Sequence, residues 1–407
     1  MKIGVFFIGR PAESGGLYQY SLCILESLRK RNDKIIVFST GDTGFPRKDY
    51  GAFFQSNLFI YLTRIIRSVN TLFGKPKQTK QTPTERTTFT PKNSIKSSLY
   101  SRLLNLIVKL NRVSLLIFTA PSDLSFKLKT PYIMPVHDLQ HRLNPQFPEV
   151  SADGILERRE YLYSNAIPHA TAILADSEIG REDILSFYSV NREKVKVLPH
   201  VPPTYLRNDY TEEERKIIAE KYHLPDRFLF YPANFWRHKN HELIIEALYY
   251  IKTHHRLIIP AVFVGSNPVA YGVFENILEL IKRYGIEDQT MFLGYIPNED
   301  MGCLYQLADA LVMPTYFGPT NLPYLEAFFT GCPVIGSNIR GIREQVGDGG
   351  LLVNPDSPED LADAILKIWN DAMLRETIIQ RGYDKAKAWN FDRFSETINH
   401  IIDEVAI

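Results

Sequence analysis

The sequence has few cysteines and no long apolar run. Its three cysteines, Cys23, Cys303 and Cys332, stand far apart in a chain of 407 residues and form neither a disulfide framework nor a metal-binding spacing. No stretch of about 18 apolar residues occurs, which argues against a membrane-spanning helix. The amino-terminal run KIGVFFI is too short for a secretory signal peptide. These absences predict a cytoplasmic protein whose thiols stay reduced.

The chain has almost no net charge, but one segment is strongly basic. The formal charge is +1, so a nucleic-acid partner is not expected. Residues 61–113, however, contain eleven lysines and arginines and a single acid, Glu85. Amphipathic stretches flank the polar middle of this segment, which predicts a basic insert that adsorbs to an anionic membrane surface. The alternative is a long solvated loop between two core-facing helices.

Short apolar runs alternate with helical patterns along most of the chain. KIGVFFI, KIIVFS, SLLIFTAPS, YIMPVHD, ATAILADS and KVKVLPHV precede the Pro-rich segment 199–205, and FLFYPAN, IPAVFVGS, TMFLGY, DALVMPT, CPVIGS and GLLVN follow it. This alternation predicts an α/β protein with two doubly wound, Rossmann-like domains of parallel strands. We assign residues 1–200 to an amino-terminal domain that carries the basic insert near 61–113. Residues 201–385 form the carboxyl-terminal domain, and 386–407 a helix that packs back on the first.

Three loops lead from a strand into a helix and are suited to binding an anion. Gly15 and Gly16 leave backbone amides unobstructed at a helix start. Lys239 begins another helix close to Asn234, and Glu326 lies one turn inside a third. Taken singly, each has an ordinary explanation: a glycine pair often marks only a turn, and a glutamate near a helix start is favoured by the helix dipole.

The loop HDLQH offers histidines with a spacing that occurs in zinc sites. His137 and His141 are four residues apart, but no glutamate follows His137 directly and Pro145 prevents a long helix. We therefore predict no metal here. His137 and Asp138 belong instead to a polar loop in which the histidine donates a hydrogen bond.

Taken in order, these motifs resemble those of the family 4 glycosyltransferases, which have the GT-B fold. The run YFGPTNLPYLEAFFTGCPVIGS, together with the Gly-Gly loop, HDLQH, ILADS, FWRHKNH and FLGYIPNEDM, carries the resemblance over nearly the whole chain except the basic insert. The resemblance implies metal-independent transfer of a sugar from a nucleoside diphosphate, with retention of configuration and without a cofactor. It also implies front-face displacement, in which the leaving diphosphate helps to deprotonate the acceptor.

The resemblance further implies roles for single residues. Lys239, His137 and Glu326 would form the catalytic set: Lys239 holds the diphosphate, His137 lies beside the donor sugar, and Glu326 binds the ribose hydroxyls. The backbone amides of Gly16 and of residues 320–322 would add to the diphosphate site, and Gly294 and Tyr295 would lie near the base. The other substrate-binding positions are Gly15, Gly16, Asp138, Asn234, Gly318, Thr320, Asn321 and Leu322.

Two positions depart from the family pattern. The family usually has a second glutamate eight positions before Glu326, where this chain has Gly318. It also usually has an arginine five positions before Lys239, where this chain has Asn234. We interpret the two changes as the joint loss of one anion and one cation from an active site, which leaves open which group contacts the donor sugar.

The segments FGPTN and YPANFW are similar to segments of enzymes that build bacterial surface polysaccharides, including O-antigen and capsule. We therefore expect mannose or a deoxyhexose such as rhamnose to be transferred to a glycan or polyprenyl-linked acceptor. A nucleotide-sugar epimerase of the same architecture is one alternative. A non-catalytic partner subunit is another, although the presence of Lys239, Glu326 and His137 argues against it.

Overall fold

A computed structural model describes residues 1–7, 15–39, 53–55, 95–266 and 270–405 of the chain. The chain divides into two compact units. Unit 1 comprises Met1–Pro199 and Asp392–Ile407, and unit 2 comprises His200–Phe391. The first boundary falls within the Pro-rich segment 199–205, where the sequence loses its periodicity.

Unit 1 is built on a sheet of seven parallel strands in the order β3-β2-β1-β4-β5-β6-β7. Its central strands are apolar except for Lys2 at the start of the first, because helices cover both faces of a parallel sheet. The rings of Phe6, Phe38 and Phe118 stack across three neighbouring strands, and successive ring centroids are 4.7–4.9 Å apart. The strands are β1 (Lys2–Phe7), β2 (Lys34–Ser39), β3 (Phe53–Gln55), β4 (Leu115–Phe118), β5 (Tyr132–Val136), β6 (Ala172–Ala175) and β7 (Val195–Val197).

The helices of unit 1 connect these strands and include the last helix of the chain. Arg31 of unit 1 pairs with Asp403 of that helix at 2.6 Å, and Asn399 donates to the Ser27 carbonyl. Phe394 contacts Tyr20 edge-on. The helices are α1 (Gly15–Leu28), α2 (Ile95–Leu110), α3 (Gln140–Leu143), α4 (Pro148–Ser151), α5 (Ile155–Ala166), α6 (Glu178–Phe187) and the last helix, α15 (Phe391–Val405).

Unit 2 contains a second parallel sheet, of six strands in the order β10-β9-β8-β11-β12-β13. The chain order reverses between β8 and β11, so the loops after these two strands leave the sheet side by side. Ligands of open α/β sheets bind at this kind of position. The strands are β8 (Leu229–Pro232), β9 (Ala261–Val264), β10 (Thr290–Gly294), β11 (Ala310–Met313), β12 (Val334–Ser337) and β13 (Gly350–Val353).

Each strand of unit 2, including the last, is followed along the chain by a helix. Helix α7 opens with a capping box, in which Thr211 and Glu214 each accept a bond from the other's backbone. The helices are α7 (Glu212–Tyr222), α8 (His241–His255), α9 (Val273–Tyr284), α10 (Asn298–Leu307), α11 (Leu322–Thr330), α12 (Arg340–Val346), α13 (Pro358–Asn370) and α14 (Ala372–Ala388).

The fold class predicted from the alternating pattern is confirmed, since both sheets are parallel and helix-covered. The short strand β3 was not predicted. Within the described ranges, none of the helices is both long and apolar enough to cross a membrane. Most of the predicted basic insert, residues 61–94, lies outside the described residues.

A buried histidine makes the stability of unit 2 depend on pH. His241 is 1% exposed and lies among the rings of Tyr231, Phe235 and Phe263. Burial lowers the pKa of His241 to about 3, and the charge of Lys239 acts in the same direction. The unfolded chain takes up this proton near pH 6.5 and the folded chain does not. The contribution to stability is therefore complete above about pH 6.5 and is lost as the pH falls toward 3.

We expect the substitution His241→Phe to flatten this dependence. In the unsubstituted protein, His241 should lower the free energy of unfolding by about 2 kcal/mol between pH 7 and pH 5. The variant should lack this fall. Tryptophan fluorescence reports on unit 2 because the three tryptophans, Trp236, Trp369 and Trp389, all lie there. The control His255→Gln changes an exposed histidine of the same helix and should keep the original profile. Equal profiles for both variants would contradict the assignment.

Candidate functional site

The basic loop after β8 is joined to the glycine-containing loop after β11. The His238 carbonyl accepts hydrogen bonds from the Tyr316 amide at 2.8 Å and from Thr315 Oγ1 at 2.9 Å. The His238 ring stacks on Phe317 with a centroid distance of 4.0 Å. Lys239 Nζ donates to Asn321 Oδ1 at 3.2 Å. Two of the three loops selected from the sequence thus lie together at the carboxyl edge of the unit 2 sheet.

Asn240, whose structural role the sequence did not reveal, holds these loops in place. Asn240 is 7% exposed and has a φ of 57°, a left-handed conformation that asparagine tolerates better than most residues. Its Nδ2 donates to the carbonyls of Pro314, after β11, and Pro355, after β13, at 2.9 and 2.8 Å. The position of Lys239, one residue earlier, is therefore tied to three strand ends.

Asn234, one of the two departures from the family pattern, forms hydrogen bonds within the protein. Its Oδ1 accepts hydrogen bonds from both the backbone amide and the hydroxyl of Ser266, each at 2.8 Å. Ser266 directly follows Gly265, whose amide donates to the Gly294 carbonyl at 2.9 Å. Asn234 thus fixes the loop after β9, a structural role that its place in the sequence did not reveal.

Gly318, the other departure, has a conformation that disfavours a side chain. Its φ is +132°, which L-residues rarely adopt. A Cβ at this position would lie 2.6 Å from Nδ2 of Asn321, too close for any contact. The glutamate that the family usually has at this position cannot be accommodated while Asn321 keeps its present conformation.

Asn321 stands at the N-cap of α11, but its side chain does not cap the helix. Its side chain turns to Lys239 instead. Its backbone amide donates to Gln345 Oε1 at 2.8 Å, and Gln345 Nε2 donates back to its carbonyl at 2.8 Å. Of the amides at 320–322 that were predicted to hold a diphosphate, this one already has a partner in the protein. Thr320 and Leu322 are half-buried beside it.

The isolated acid of α11 is buried beneath two tyrosines. Glu326 is 6% exposed, and its Oε2 accepts from the Tyr305 hydroxyl at 2.6 Å while its Oε1 accepts from Tyr205 at 3.1 Å. Burial raises the pKa of the Glu326 carboxyl, and the two hydroxyls counteract part of this effect by bonding the charged form. Neither tyrosine was singled out from the sequence, because Tyr205 comes from the Pro-rich segment and Tyr305 from the apolar face of α10.

The residues predicted to lie near a nucleotide base occupy the outer side of this cluster. Gly294 ends β10 with a φ of 68°, and Tyr295 after it is 69% exposed. Burial and the charge of Glu326 raise the pKa of Tyr205, and Tyr295 adds to the increase. The exposed fraction of the side chains increases from Tyr305, which is fully buried, through Glu326 and the half-buried Tyr205 to Tyr295 at the surface.

His137 belongs to unit 1 and is paired with an aspartate that the sequence analysis did not select. His137 follows β5 and Asp176 follows the neighbouring strand β6, and His137 Nδ1 lies 3.1 Å from the carboxylate. Burial alone lowers the pKa of His137, but the nearby Asp176 outweighs it, so the pKa is raised overall. The spacing could have revealed Asp176, since both residues directly follow strands of the same sheet.

The remaining predicted residues of unit 1 have different surroundings. The Asp138 carboxylate accepts from Arg159 at 2.5 Å and from the Gln140 amide at 2.9 Å. Gly15 begins α1 with a φ of 42° and is exposed, and Gly16 is half-buried. The roles assigned to these residues and to His137 stay predictions.

Comparison with known proteins identifies the class of the carboxyl-terminal part. Residues 212–385 match the family described as Glycosyl transferases group 1. They include Lys239, Asn321 and Glu326. This part of the chain is therefore a glycosyl transferases group 1 domain, which confirms the resemblance inferred from the motifs.

Curated relatives include two mannosyltransferases of Escherichia coli. The O-antigen chain mannosyltransferase B is 26% identical over 258 residues, which make up 62% of this chain and 66% of the relative. The serotype-specific mannosyltransferase WbdA is 29% identical over 216 residues, or 51% of this chain and 26% of the relative. The chain thus spans just under two thirds of the first relative and about a quarter of the second.

Solved structures resemble the chain over almost its whole length. Anabaena HepE, solved in complex with UDP and glucose, gives a TM-score of 0.72 at 16% identity and covers 99% of this chain and 100% of its own. WaaG, a glycosyltransferase involved in lipopolysaccharide biosynthesis, gives 0.67 at 16% identity, with 99% of each chain covered. At this identity the likeness concerns the fold, and it agrees with the GT-B fold expected from the motifs.

The burial of Glu326 predicts unequal effects of removing its two hydroxyl partners. Tyr305→Phe should lower the free energy of unfolding by about 1–3 kcal/mol, because a buried acceptor loses its donor. Tyr205→Phe is the matched control, and its effect should be smaller because water reaches the half-exposed side. Urea unfolding followed by tryptophan fluorescence measures both. An unchanged free energy of unfolding for Tyr305→Phe would contradict a stabilising hydrogen bond from Tyr305 to Glu326.

Proposed function

We propose that this protein is a retaining glycosyltransferase that moves a hexose from a nucleoside-diphosphate sugar to a glycan or polyprenyl-linked acceptor in the synthesis of a bacterial surface polysaccharide. Mannose is the first candidate sugar, since both Escherichia coli relatives are named mannosyltransferases, and a deoxyhexose such as rhamnose is the second. The observation that carries the proposal is the junction of Lys239 with the loop before α11, inside the matched domain.

The donor's nucleotide would lie along the carboxyl edge of the unit 2 sheet. Lys239 would neutralise the diphosphate, because an ammonium in hydrogen-bond contact with a phosphate forms a strong charge-assisted bond. Glu326 would accept bonds from the ribose. Each carboxylate oxygen can accept two hydrogen bonds and each receives one from a tyrosine, so acceptor capacity is left. The exposed ring of Tyr295 is available to stack on the base.

The proposed reaction is a front-face displacement at the anomeric carbon. The acceptor hydroxyl forms the new bond on the face from which the diphosphate leaves, and its proton passes to a diphosphate oxygen. Lys239 stabilises the charge that develops on the leaving group, and the helix start at α11 adds its dipole. The protein thus contributes positioning and charge stabilisation rather than a nucleophile.

We propose further that the reaction needs no metal ion. In this scheme the leaving diphosphate is neutralised by the Lys239 ammonium and by hydrogen-bond donors. Activity should therefore persist in a chelator such as EDTA, and loss of donor turnover that added Mg²⁺ or Mn²⁺ restores would overturn this part of the proposal.

Substitutions at Lys239 and Glu326 should distinguish binding of the diphosphate from binding of the ribose. In a thermal-shift panel of GDP, UDP and dTDP, a ligand that binds only the folded state raises the melting temperature. Lys239→Met should weaken the nucleoside diphosphate and free pyrophosphate alike, by about 10- to 100-fold. Glu326→Gln should weaken only the nucleoside diphosphate, because pyrophosphate has no ribose.

The control for this experiment is Lys367→Met, which removes an exposed lysine of α13 and should leave binding unchanged. Equal losses of pyrophosphate binding in the Lys239 and Glu326 variants would sink the ribose role of Glu326. If the unsubstituted protein binds no nucleoside diphosphate, the proposed function itself is wrong, and the reading as a non-catalytic subunit would take its place.

We also propose that the protein is cytoplasmic and binds peripherally to the inner face of the cell membrane through the basic insert. The described part of the insert includes α2, whose sequence contains no acid. Leu104, Ile107 and Val108 are buried in unit 1, whereas Leu106 and Leu110 are 50% and 69% exposed. Exposed basic side chains, Arg102 and Lys109, accompany the two exposed leucines. An apolar strip flanked by cations suits an anionic lipid surface.

Vesicle binding tests this surface. Vesicles containing anionic lipid should bind the protein, and raising the salt above about 0.1 M should weaken binding because exposed charges are then screened within about 10 Å. The double variant Arg102→Gln/Lys109→Gln should lose salt-sensitive binding, and Leu106→Ser/Leu110→Ser should lose the remainder. Met373→Ser, at a position that is 82% exposed in unit 2, is the control. Unchanged binding in both double variants would remove α2 from the membrane surface.

A further inference from the structure

The side-chain amide of Asn321 has a donor that nothing in the described protein uses. Asn321 is 8% exposed, yet its Nδ2 has no hydrogen-bond partner among the residues that the structure describes. A buried donor without an acceptor is costly and uncommon in a folded protein. Such an atom at a helix start, beside a lysine, indicates that its acceptor is a ligand.

The orientation of this amide is determined by Lys239. An ammonium can only donate, so Lys239 Nζ requires the amide oxygen on its side, and the observed contact is to Oδ1 at 3.2 Å. The amide nitrogen is thereby directed toward Gly318. The backbone of Asn321 is fixed as well, since Gln345 bonds both its amide and its carbonyl.

Gly318 provides the space that this amide needs. A Cβ at position 318 would lie 2.6 Å from Asn321 Nδ2, and the φ of +132° would strain any side chain there. A side chain at 318 and the present conformation of Asn321 therefore exclude each other. The absence of the family's glutamate and the presence of this amide are one structural change rather than two.

We propose that the Asn321 amide is a donor-binding group: its Nδ2 donates a hydrogen bond to the phosphate oxygens that Lys239 neutralises, in the place where the family usually has a carboxylate. This inference rests on the proposed function and adds a residue to its diphosphate site. It also changes the specificity expected of the site, because a neutral donor favours an oxyanion that a carboxylate at the same place would repel.

A double-mutant cycle distinguishes direct binding from an effect transmitted through Lys239. Isothermal titration with GDP, UDP, dTDP and pyrophosphate is applied to Asn321→Leu, Lys239→Met and the double variant. Asn321→Leu should weaken the bound nucleoside diphosphate and pyrophosphate by about tenfold. The same substitution in the Lys239→Met background should still cost several-fold. If it costs nothing there, Asn321 only positions Lys239, and the proposal is wrong.

Two further variants keep the result interpretable. Asn321→Asp retains an acceptor for Lys239 but lacks the donor, so it should lose affinity as well, and wild-type affinity in this variant would overturn the proposal. Asn321→Ala replaces the leucine variant if that one does not fold. Asn338→Leu, which removes an exposed amide that accepts from Arg343 in the same unit, is the control and should bind normally.

The melting temperature provides an independent readout. Asn321→Leu removes an unsatisfied buried donor, so the variant without ligand should melt within a few degrees of the original protein while its ligand-induced shift is reduced. A large loss of stability without any change in affinity would mean that the amide is structural. If the unsubstituted protein binds none of the four ligands, the proposed function fails, and if it binds them and Asn321→Leu binds equally, only this inference fails.

Discussion

The candidate site depends on the side chain of Asn240, which ties three strand ends together. Parallel strands bring their carboxyl ends to one edge of a sheet, but they do not fix the loops that follow. Asn240 does so by donating to carbonyls after β11 and β13 from the start of α8. Lys239 is its chain neighbour, so the basic group is held at a defined place relative to the loop before α11. The position of the positive charge at this edge of the sheet therefore depends on the hydrogen bonds of Asn240, whose side chain is buried.

The sequence predicted the fold well because apolar runs and turn residues are local signals. The strands KIGVFFI and FLFYPAN, and the boundary near 199–205, could be located without any knowledge of their neighbours. The loops carrying Lys239 and Glu326 were also found, since each follows a strand and opens a helix. Where a strand ends and a helix begins can be recognised from neighbouring residues in the sequence.

Partners that come from distant parts of the chain could not be predicted in this way. Tyr205 and Tyr305 meet at Glu326 only after the Pro-rich segment and α10 have been placed. The two departures from the family pattern were interpreted as one balanced loss of charge. The structure gives each its own surroundings, with Asn234 holding Ser266 and Gly318 making room for Asn321.

The route of the chain has a consequence for how the protein is made. Unit 1 receives its last helix, α15, from the far end of the sequence, and Phe394, Ile398 and Ile402 on that helix are buried. Unit 2 lies between the two parts of unit 1 in the chain. During synthesis, which proceeds from the amino terminus, all residues of unit 2 are therefore available before unit 1 can bury the apolar surface that α15 covers. The unit that begins first is completed last, and until residues 392–405 have been made it presents a hydrophobic strip suited to transient protection by a chaperone.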